Sequence, residues 1–260
     1  MTGATRVGVV GATGKMGSLA AAAIERAADL ELAAVVSPRE PLHAPSVVWA
    51  EAIEALDPAA VTCVVDLTRA DLARRTLAWV AANGKDAVIG TSGLTDEDLA
   101  TLRSRAARSR VLVVPNFSIG AVLLARFAAE AAAHFDSVEV IELHHDAKRD
   151  APSGTAIATA RAVAAARTTA GRPPISDRTE HWTLEGARGA EGPGGIRIHA
   201  VRLPGLVAHQ MVSFSSPGEG LTLRHDTYDR ASFMDGLLLA LRRLDRVAGV
   251  QVGLEHVLDG

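Results

Sequence analysis

The chain has 260 residues, of which 48% are hydrophobic, so it can bury a substantial core without disulfide bonds or metal ions. Its 27 basic and 30 acidic residues give a net charge of −3, which excludes the strong positive field that nucleic acids or anionic membranes require. A single cysteine, Cys63, excludes an internal disulfide and a cysteine-rich metal site. We therefore expect a cytoplasmic protein with no membrane span and no signal peptide.

The first 115 residues alternate buried strands with helices. Continuous apolar runs predict parallel strands, and alanine-rich or amphipathic stretches between them predict helices. The pattern is typical of a Rossmann-like, doubly wound parallel sheet in an α/β protein. The predicted strands span 6–11, 32–37, 61–66, 86–90 and 111–114, and the predicted helices end near residues 30, 83 and 108.

After Pro115 the apolar runs are too closely spaced for crossover helices. Runs at 137–143, 199–202, 209–215 and 220–225 predict a mainly antiparallel sheet in a second, α+β domain, with helices over 119–134 and 154–168. The glycine-rich segment 186–195 is predicted to be a mobile loop, and 231–247 a final amphipathic helix that returns to the first domain. The expected domains are 1–115 with 230–260, and 116–229.

A glycine loop joins the first predicted strand to the first helix. Its sequence is Gly11-Ala12-Thr13-Gly14-Lys15-Met16-Gly17. Glycines at this spacing permit a tight turn and close approach of a pyrophosphate to the helix N-terminus. A P-loop is excluded because Met16 stands where the Mg²⁺-binding Ser or Thr belongs. The loop therefore favours a dinucleotide site over its alternative, a purely structural turn.

Three further polar loops directly follow predicted parallel strands. They are Asp66-Leu67-Thr68, Gly90-Thr91-Ser92-Gly93 and Pro115-Asn116-Phe117-Ser118. The carboxyl ends of parallel strands form the ligand crevice of an open α/β sheet, so these loops are placed to contact a bound dinucleotide. Each loop alone is explained equally well by ordinary turn chemistry. Their coincidence at one edge favours a shared function.

The densest cluster of reactive side chains lies between Glu142 and Thr155. His144 or His145 can donate a proton, Lys148 supplies a fixed cation, and Ser153-Gly154-Thr155 opens a helix whose N-terminus can bind an anion. This combination suits a small dicarboxylate. The alternative is one buried structural histidine beside one solvated histidine.

Two other chemistries fit this cluster poorly. A zinc site is disfavoured because adjacent strand residues point to opposite faces and H-E-x-x-H is absent, and a serine hydrolase because there is no G-x-S-x-G elbow. Glu142 is interpreted as a strand surface residue and Cys63 as an inert core thiol, neither with a catalytic role. The histidines of the second-domain strands are interpreted as structural: His199, His209 and His225.

The segment 142–156, together with the glycine loop and the loops at 90–93 and 115–118, resembles the 4-hydroxy-tetrahydrodipicolinate reductase family, formerly dihydrodipicolinate reductase, of bacterial lysine biosynthesis. The resemblance runs nearly end to end, through 186–189, 198–202, 205–209 and 230–233. It implies a dinucleotide-binding domain closed by the C-terminal helix and a second domain that binds substrate and builds a homotetramer. It also implies reduction of the family's cyclic imine dicarboxylate by NADH or NADPH.

The resemblance also implies roles for individual residues. His144 corresponds to the proton donor and Lys148 to a substrate-binding, catalytic cation. The implied substrate contacts are His145, Ser153, Gly154, Thr155 and Ser92. The implied cofactor contacts are Gly11, Ala12, Thr13, Gly14, Lys15, Met16, Gly17, Ser37, Arg39, Asp66, Thr68, Gly90, Thr91, Ser92, Pro115, Asn116 and Phe117.

The sequence departs from the family pattern at three positions. Ser37-Pro38-Arg39 ends the second predicted strand where the family commonly has an acidic residue, Ser92 replaces a threonine, and Leu67 replaces a phenylalanine. An acidic residue there would repel the 2′-phosphate of NADPH, whereas Arg39 can pair with it. We therefore expect both cofactors to work, with NADPH favoured.

Two alternatives to the family reaction stay open at this point. A paralogue can reduce a different cyclic imine with the same residues, and a catalytically inactive homologue can act as a nucleotide sensor. The presence of both His144 and Lys148 argues against the sensor.

Overall fold

The computed structural model describes residues 4–41, 47–91 and 93–259. Its internal contacts divide the chain into two compact units: unit 1 comprises Met1–Ile119 with Phe233–Gly260, and unit 2 comprises Gly120–Ser232. The strands are β1 Thr5–Val10, β2 Leu30–Val36, β3 Val48–Ala50, β4 Cys63–Asp66, β5 Asp86–Ile89, β6 Val111–Val113, β7 Ser137–His144, β8 Ala190–Glu191, β9 Arg197–Arg202, β10 Ala208–Ser216, β11 Glu219–Thr227 and β12 Val250–Val252. The α-helices are α1 Lys15–Arg26, α2 Ala70–Asn83, α3 Asp96–Arg105, α4 Ile119–Ala131, α5 Gly154–Thr169 and α6 Phe233–Arg242.

Unit 1 is built on a seven-stranded parallel sheet. The strand order is β12-β6-β5-β4-β1-β2-β3, and every neighbouring pair is parallel. The central strands are apolar on both faces because helices cover both sides; Val7, Val9, Val64 and Val88 are all fully buried. The predicted doubly wound α/β fold is confirmed.

Two edge strands and the end of the last helix differ from the sequence prediction. β3 and β12 have three residues each, and neither is a continuous buried apolar run, because β3 exposes Val48 and Trp49 and Gln251 interrupts β12. The predicted helix 231–247 is wrong at both ends: α6 spans Phe233–Arg242, and a 3-10 turn at Arg230–Ser232 precedes it. At Arg243 the φ and ψ of −109° and 14° leave the helical region, and the rest of the predicted range contains only the 3-10 turn Leu244–Arg246. An ion pair of 2.7 Å between Arg242 Nε and Asp29 Oδ2 ties α6 to the segment before β2.

Unit 2 is a five-stranded mixed sheet with the order β11-β10-β7-β9-β8. β10 lies antiparallel to β7 and β11, as predicted, but β9 lies parallel to β7. Three of the four strand pairings are antiparallel, so the predicted mainly antiparallel sheet is confirmed. The β7–β9 pair is the exception, because α5 and the long segment after it supply the crossover that a parallel connection needs. The core packs α4 and α5 on one face of the sheet, around Val138, Val140, Val163 and Phe214.

The glycine-rich segment 186–195 is not simply a loop. It contains β8, which pairs antiparallel with β9, and a 3-10 turn at Pro193–Gly195. The hydrogen bond from Gly192 N to Ile196 O, at 2.8 Å, closes this turn.

In the part of the chain that the structure describes, no helix combines the length and apolar content needed to cross a bilayer.

Candidate functional site

The glycine loop of unit 1 forms a tight turn against the end of β2. Gly11 N donates to Val36 O and Gly14 N to Gly11 O, both at 2.9 Å. A Cβ at Gly17 would lie 2.0 Å from Gly11 O, so only glycine lets α1 begin this close to the turn. Ala12 and Gly17 are buried and Met16 is half-buried, whereas Thr13, Gly14 and Lys15 are exposed.

The N-terminus of α1 fits the pyrophosphate of a dinucleotide. Its N-cap, Gly14, has no side chain to satisfy the first amide groups, and the first turn of α1, all of it described, contains no acidic residue. Free N–H groups and the positive end of the helix dipole therefore face solvent beside Lys15.

A buried carboxylate, Asp66, ties together the loops that follow β4 and β5. Its Oδ1 accepts hydrogen bonds from Thr68 N (2.9 Å), Thr68 Oγ1 (2.6 Å) and Thr91 Oγ1 (3.0 Å), and its Oδ2 from Thr76 Oγ1 of α2 (2.5 Å). The residue is 0% exposed. The sequence prediction made Asp66 a cofactor contact, but its carboxylate is buried and engaged, and so supports the loops instead of facing a ligand. Thr68 is half-buried, whereas Thr91 is buried and bonded to the same carboxylate.

The loops after β5 and β6 also pack on one another. A Cβ at Gly90 would lie 2.5 Å from the Phe117 ring and 2.6 Å from Leu67, so glycine is required where these side chains meet. Asn116 Oδ1 accepts from Ser118 N at 2.9 Å, which closes an Asx turn after exposed Pro115. Ser92 lies outside the described residues.

Among the described residues that directly follow β2, the cationic side chain is that of Arg39. Ser37 is buried and its Oγ donates to Arg39 O at 2.7 Å, so this hydroxyl is engaged by the turn. Trp49, on the edge strand β3, donates from Nε1 to Ser37 O at 3.1 Å and pins the same turn. Arg39 and Glu40, which follow it, are both exposed.

In unit 2 the strand β7 ends at His144, whose imidazole rests on a buried carboxylate. His144 Nδ1 lies 2.6 Å from Oε2 of Glu142, two residues earlier on the same strand face. Arg202, the last residue of β9, pairs with both oxygens of Glu142, through Nη2 to Oε1 at 2.7 Å and Nη1 to Oε2 at 2.8 Å. The backbone N of Ser153 donates to Glu142 Oε1 at 3.0 Å.

These contacts shift the pKa values of both groups. Burial raises the pKa of Glu142, but the hydrogen bonds from Arg202, His144 and Ser153 outweigh it, so its pKa is lowered overall. For His144, burial lowers the pKa and Glu142 opposes that shift, while Lys148 and Arg202 add to it; the net direction is downward. Glu142 is thus an anion at neutral pH beneath an imidazole that is easily deprotonated.

The loop after His144 brings the remaining predicted substrate residues to the same end of β7. His145 is half-buried directly after the strand. Lys148 Nζ bonds to Asp150 Oδ1 at 2.8 Å, and this contact is the largest cause of the lowered pKa of Asp150.

The N-terminus of α5 follows that loop. Ser153 caps the helix by accepting a hydrogen bond from Ala156 N at 3.2 Å, Gly154 is exposed at the first helical position, and Thr155 is half-buried beside it. The loop therefore carries an imidazole, an ammonium group and a helix N-terminus.

Sequence reasoning missed Glu142 and Arg202. The interpretation of Glu142 as a strand surface residue is wrong, since its side chain is 0% exposed. The period of two along β7 places Glu142 and His144 on one face and was the available signal. Arg202 is 60 residues away in sequence, and only the parallel pairing of β7 with β9 brings it close.

The cysteine and the strand histidines that the sequence interprets as structural lie in contact with other protein groups. Cys63 is buried, and burial strongly raises the pKa of its thiol, as expected of an inert core residue. His199 pairs with Glu139 and His209 with Asp226, each at 2.8 Å. His225 packs against Gly120.

Unit 2 also contains a cavity of about 890 Å³ that includes none of the predicted site residues. Its wall includes Arg167, Asp177, Arg188 and Arg197. Arg188 and Arg197 are paired with carboxylates, and Arg167 donates to backbone carbonyls, so these three guanidinium groups already have partners within the protein.

Two family models match the chain. The model described as "Dihydrodipicolinate reductase, N-terminus" matches residues 5–117, and the one described as "Dihydrodipicolinate reductase, C-terminus" matches residues 120–258.

Curated relatives match over nearly the whole length. A 4-hydroxy-tetrahydrodipicolinate reductase of Mycolicibacterium gilvum is 46% identical over 257 residues, which cover 98% of this chain and 99% of the relative. The reductase of the same name from Corynebacterium diphtheriae is 43% identical, with 98% and 99% coverage.

Solved structures show the same similarity. A dipicolinate-bound dihydrodipicolinate reductase from Paenisporosarcina sp. TG-14 superposes with a TM-score of 0.88 and 39% identity, covering 98% of this chain and 100% of that one. GenD2 of gentamicin A biosynthesis, in complex with NAD, has a TM-score of 0.60 at 18% identity over 100% of this chain and 88% of that one, and shares the fold alone.

Proposed function

The chain belongs to the dihydrodipicolinate reductase family, and from this premise we propose that it reduces 4-hydroxy-tetrahydrodipicolinate, by way of dihydrodipicolinate, to tetrahydrodipicolinate with NADPH or NADH. The enzyme is an NAD(P)H-dependent oxidoreductase of the diaminopimelate and lysine pathway. The relatives favour neither a different cyclic imine nor an inactive sensor.

The observation that carries the residue assignment is the grouping of His144, Lys148 and the α5 N-terminus at the end of β7. We assign Lys148 and the amides of Gly154 and Thr155, with His145 and Ser153, to the two substrate carboxylates, because a cation and a helix N-terminus both favour bound anions. Binding both carboxylates holds the substrate ring in one orientation, and correct orientation of the reactants lowers the reaction barrier substantially.

His144 is assigned as the proton donor. Negative charge develops in the conjugated ring of the substrate during reduction. The protonated imidazole of His144 can donate a proton from Nε2 to neutralise this charge, and Lys148 stabilises the charge electrostatically. The pKa of His144 is lowered in the free protein, chiefly by burial. The two carboxylates of a bound substrate bring negative charge beside the ring and so favour the protonated form when it is needed.

Unit 1 is assigned as the cofactor-binding unit. The pyrophosphate would lie on the α1 N-terminus between Gly11 and Gly17, and the loops 66–68, 90–91 and 115–117 would line the rest of the dinucleotide. When bound, the nicotinamide supplies the hydride that adds to carbon 4 of the substrate.

We infer a preference for NADPH over NADH. Arg39 is exposed on a turn that Ser37 and Trp49 hold in place, and the end of β2 carries no acidic side chain at Ser37 to repel a 2′-phosphate. Glu40 beside it is the opposing influence. Side-by-side kcat/KM values test this: a fivefold or greater preference for NADH contradicts it.

We further propose that the enzyme is a cytoplasmic homotetramer assembled through unit 2. Ile141 and Leu143 alternate with the helix-facing residues of β7, so they point to the other face of the sheet, and both are only half-buried. Met211 pairs with Ile141 and extends this apolar face. Copies of the chain would cover it, and a monomer mass by light scattering at micromolar concentration rejects the assembly.

The proposed reaction is tested by following NADPH oxidation with 4-hydroxy-tetrahydrodipicolinate formed in the cuvette by its synthase. We expect turnover that depends on both the synthase and this protein. Binding of NADPH without turnover would indicate a sensor. Turnover only with another cyclic imine would indicate a paralogous reductase.

A further inference from the structure

Beneath the assigned proton donor lies the buried carboxylate of Glu142. We propose that Glu142 is a positioning residue: it holds the Nδ1 proton of His144 so that Nε2 carries the proton given to the substrate, and Arg202 keeps Glu142 charged for that purpose. The inference rests on the proposed function for the identity of the donor, but its structural part can be tested on the free protein.

The tautomer follows from the contact itself. An ionised carboxylate can only accept hydrogen bonds, so the 2.6 Å contact requires a proton on His144 Nδ1. Among the described residues, none accepts a hydrogen bond from Nε2. After Nε2 gives up its proton, the neutral ring that remains is the Nδ1–H tautomer, and Glu142 still binds it. No reorientation of the ring is needed between the two protonation states.

Arg202 stabilises the ionised form of the buried Glu142 carboxylate. An isolated carboxylate inside a protein takes up a proton to avoid desolvation. Here the guanidinium contacts both oxygens of Glu142 in a two-pronged pair, and its Nη2 also donates to Asp150 O at 2.8 Å. The lowered pKa of Glu142 agrees with this arrangement.

The same carboxylate also fixes the anion-binding helix terminus. Glu142 Oε1 accepts from the backbone N of Ser153, the N-cap of α5, 11 residues further along the chain. One side chain therefore sets both the direction of the imidazole and the start of the helix assigned to the substrate carboxylates. Both parts of the assigned site depend on Glu142, although it touches no substrate itself.

The experiment compares pH profiles of kcat/KM for the parent and Glu142→Gln. Three charged groups act on His144: Glu142 on β7, Lys148 on the following loop and Arg202 on β9. Removing Glu142, the only negative group of the three, destabilises the imidazolium and lowers the pKa of His144. The loss of kcat/KM that occurs as the pH is raised should therefore begin at a lower pH than in the parent. We expect the apparent pKa of this alkaline limb of the kcat/KM profile to be lower by about one unit or more. At neutral pH we expect kcat to be roughly ten- to a hundredfold lower.

The matched control uses another Glu–Arg–His group on the same strand. Glu139 contacts Arg188 and lies 2.8 Å from His199, on the opposite face of β7. Glu139→Gln removes a comparable carboxylate, and we expect the pH limb to stay within about 0.3 unit of the parent, well below the shift that loss of a direct charge partner causes. An equal shift in both variants, or an unchanged limb in Glu142→Gln, overturns the proposal.

A second variant guards against misfolding of Glu142→Gln, in which Arg202 loses its counter-ion. The double variant Glu142→Gln/Arg202→Met removes both charges, which a buried site tolerates better than one unpaired charge. We expect its His144 to show the same mixture of tautomers as His144 of the single variant.

Imidazole ¹⁵N spectra of the free protein test the tautomer without any catalysis. The His144 signals are identified by their loss in His144→Gln. We expect Nδ1–H in the parent and a mixture of tautomers in both variants that lack the carboxylate. A parent without turnover but with the Nδ1–H signal would reject the proposed reaction and keep the positioning role, whereas Nε2–H in the parent rejects the role itself.

Discussion

Substitution of Thr76 by Val separates loop support from cofactor contact. Thr76 lies on α2 and is fully buried, and its hydroxyl donates to Asp66 Oδ2 at 2.5 Å. It belongs to none of the loops assigned to the dinucleotide. Valine has nearly the same volume, so the change opens no cavity; it removes the hydrogen bond and leaves the buried Asp66 Oδ2 without the donor that it has in the parent. If Asp66 holds the loops after β4 and β5, the effect should reach the cofactor site.

The size of the effect is bounded by the hydrogen bond. A bond to a charged group contributes about 1.5–3 kcal/mol, which would correspond to roughly ten- to a hundredfold in affinity if it acted wholly on the loops. Asp66 keeps three other hydrogen bonds, from Thr68 and Thr91, so only part of the loss should reach the loops. We expect Thr76→Val to lower the free energy of unfolding by about 1–2 kcal/mol and to raise the Kd of NADPH about three- to tenfold.

Thr76→Ser is the matched control because it keeps the hydroxyl and loses only a methyl group. We expect it to lose about 1 kcal/mol of stability, the value of a buried methyl, yet to bind NADPH within about twofold of the parent. Urea unfolding and fluorescence titration with NADPH measure the two quantities. If both variants bind NADPH equally, whether weakly or as well as the parent, the carboxylate of Asp66 does not organise the cofactor loops.

Three further substitutions test the assigned site residues. His144→Gln should lower turnover by roughly 10²–10⁴ with little effect on the Kd of NADPH, and turnover within threefold of the parent contradicts its role. Lys148→Ala should reduce kcat and raise the KM of the dicarboxylate substrate, because its charge acts in both ground and transition states; an unchanged KM counts against it. Arg39→Ala should raise the KM of NADPH about tenfold or more and leave that of NADH nearly unchanged, and equal changes for both cofactors would show that Arg39 does not bind the 2′-phosphate.

The sequence predicts those parts of the fold that local pattern determines. The apolar run before Gly11 and the glycine spacing up to Gly17 specify a buried strand, a tight turn and a helix start, and all three are present. β3 and β12 escape prediction because neither is a continuous buried apolar run: β3 exposes Val48 and Trp49, and Gln251 interrupts β12. β6 is equally short, but its three residues are all apolar and buried, so the sequence predicts it. The parallel pairing of β7 with β9 is set by the crossover through α5, which spacing between apolar runs does not reveal.

In the candidate site, too, the sequence predicts the residues of a local motif but not those that only the fold brings together. His144, Lys148 and Ser153 lie within ten residues, so their chemistry is visible as a motif. Glu142 and Arg202 are invisible as a pair, because strand pairing joins residues that are 60 positions apart. The sequence predicts that Asp66 ends a parallel strand, and it does, but its support of the loops depends on Thr76 and Thr91, which come from a helix and a loop further along the chain.

Asp66 and Glu142 represent one structural solution used in both units. Each is a fully buried carboxylate at or near the end of a strand, and each accepts four hydrogen bonds. A carboxylate has about four acceptor positions, so neither has capacity left for a ligand. In the proposed reaction they would act only through the groups that they hold: Asp66 through the two loops assigned to the cofactor, and Glu142 through an imidazole and a helix terminus.

The partners of the two carboxylates differ in a way that matches the groups they hold. Asp66 is bonded by hydroxyls and a backbone amide, all neutral, and it supports loops whose charge need not change. Glu142 is bonded by a guanidinium and an imidazole, and its charge bears directly on the protonation of that imidazole. Loss of Thr76 should therefore alter affinity without moving a pH profile, whereas loss of Glu142 should move the profile, so the two kinds of support can be told apart by measurement.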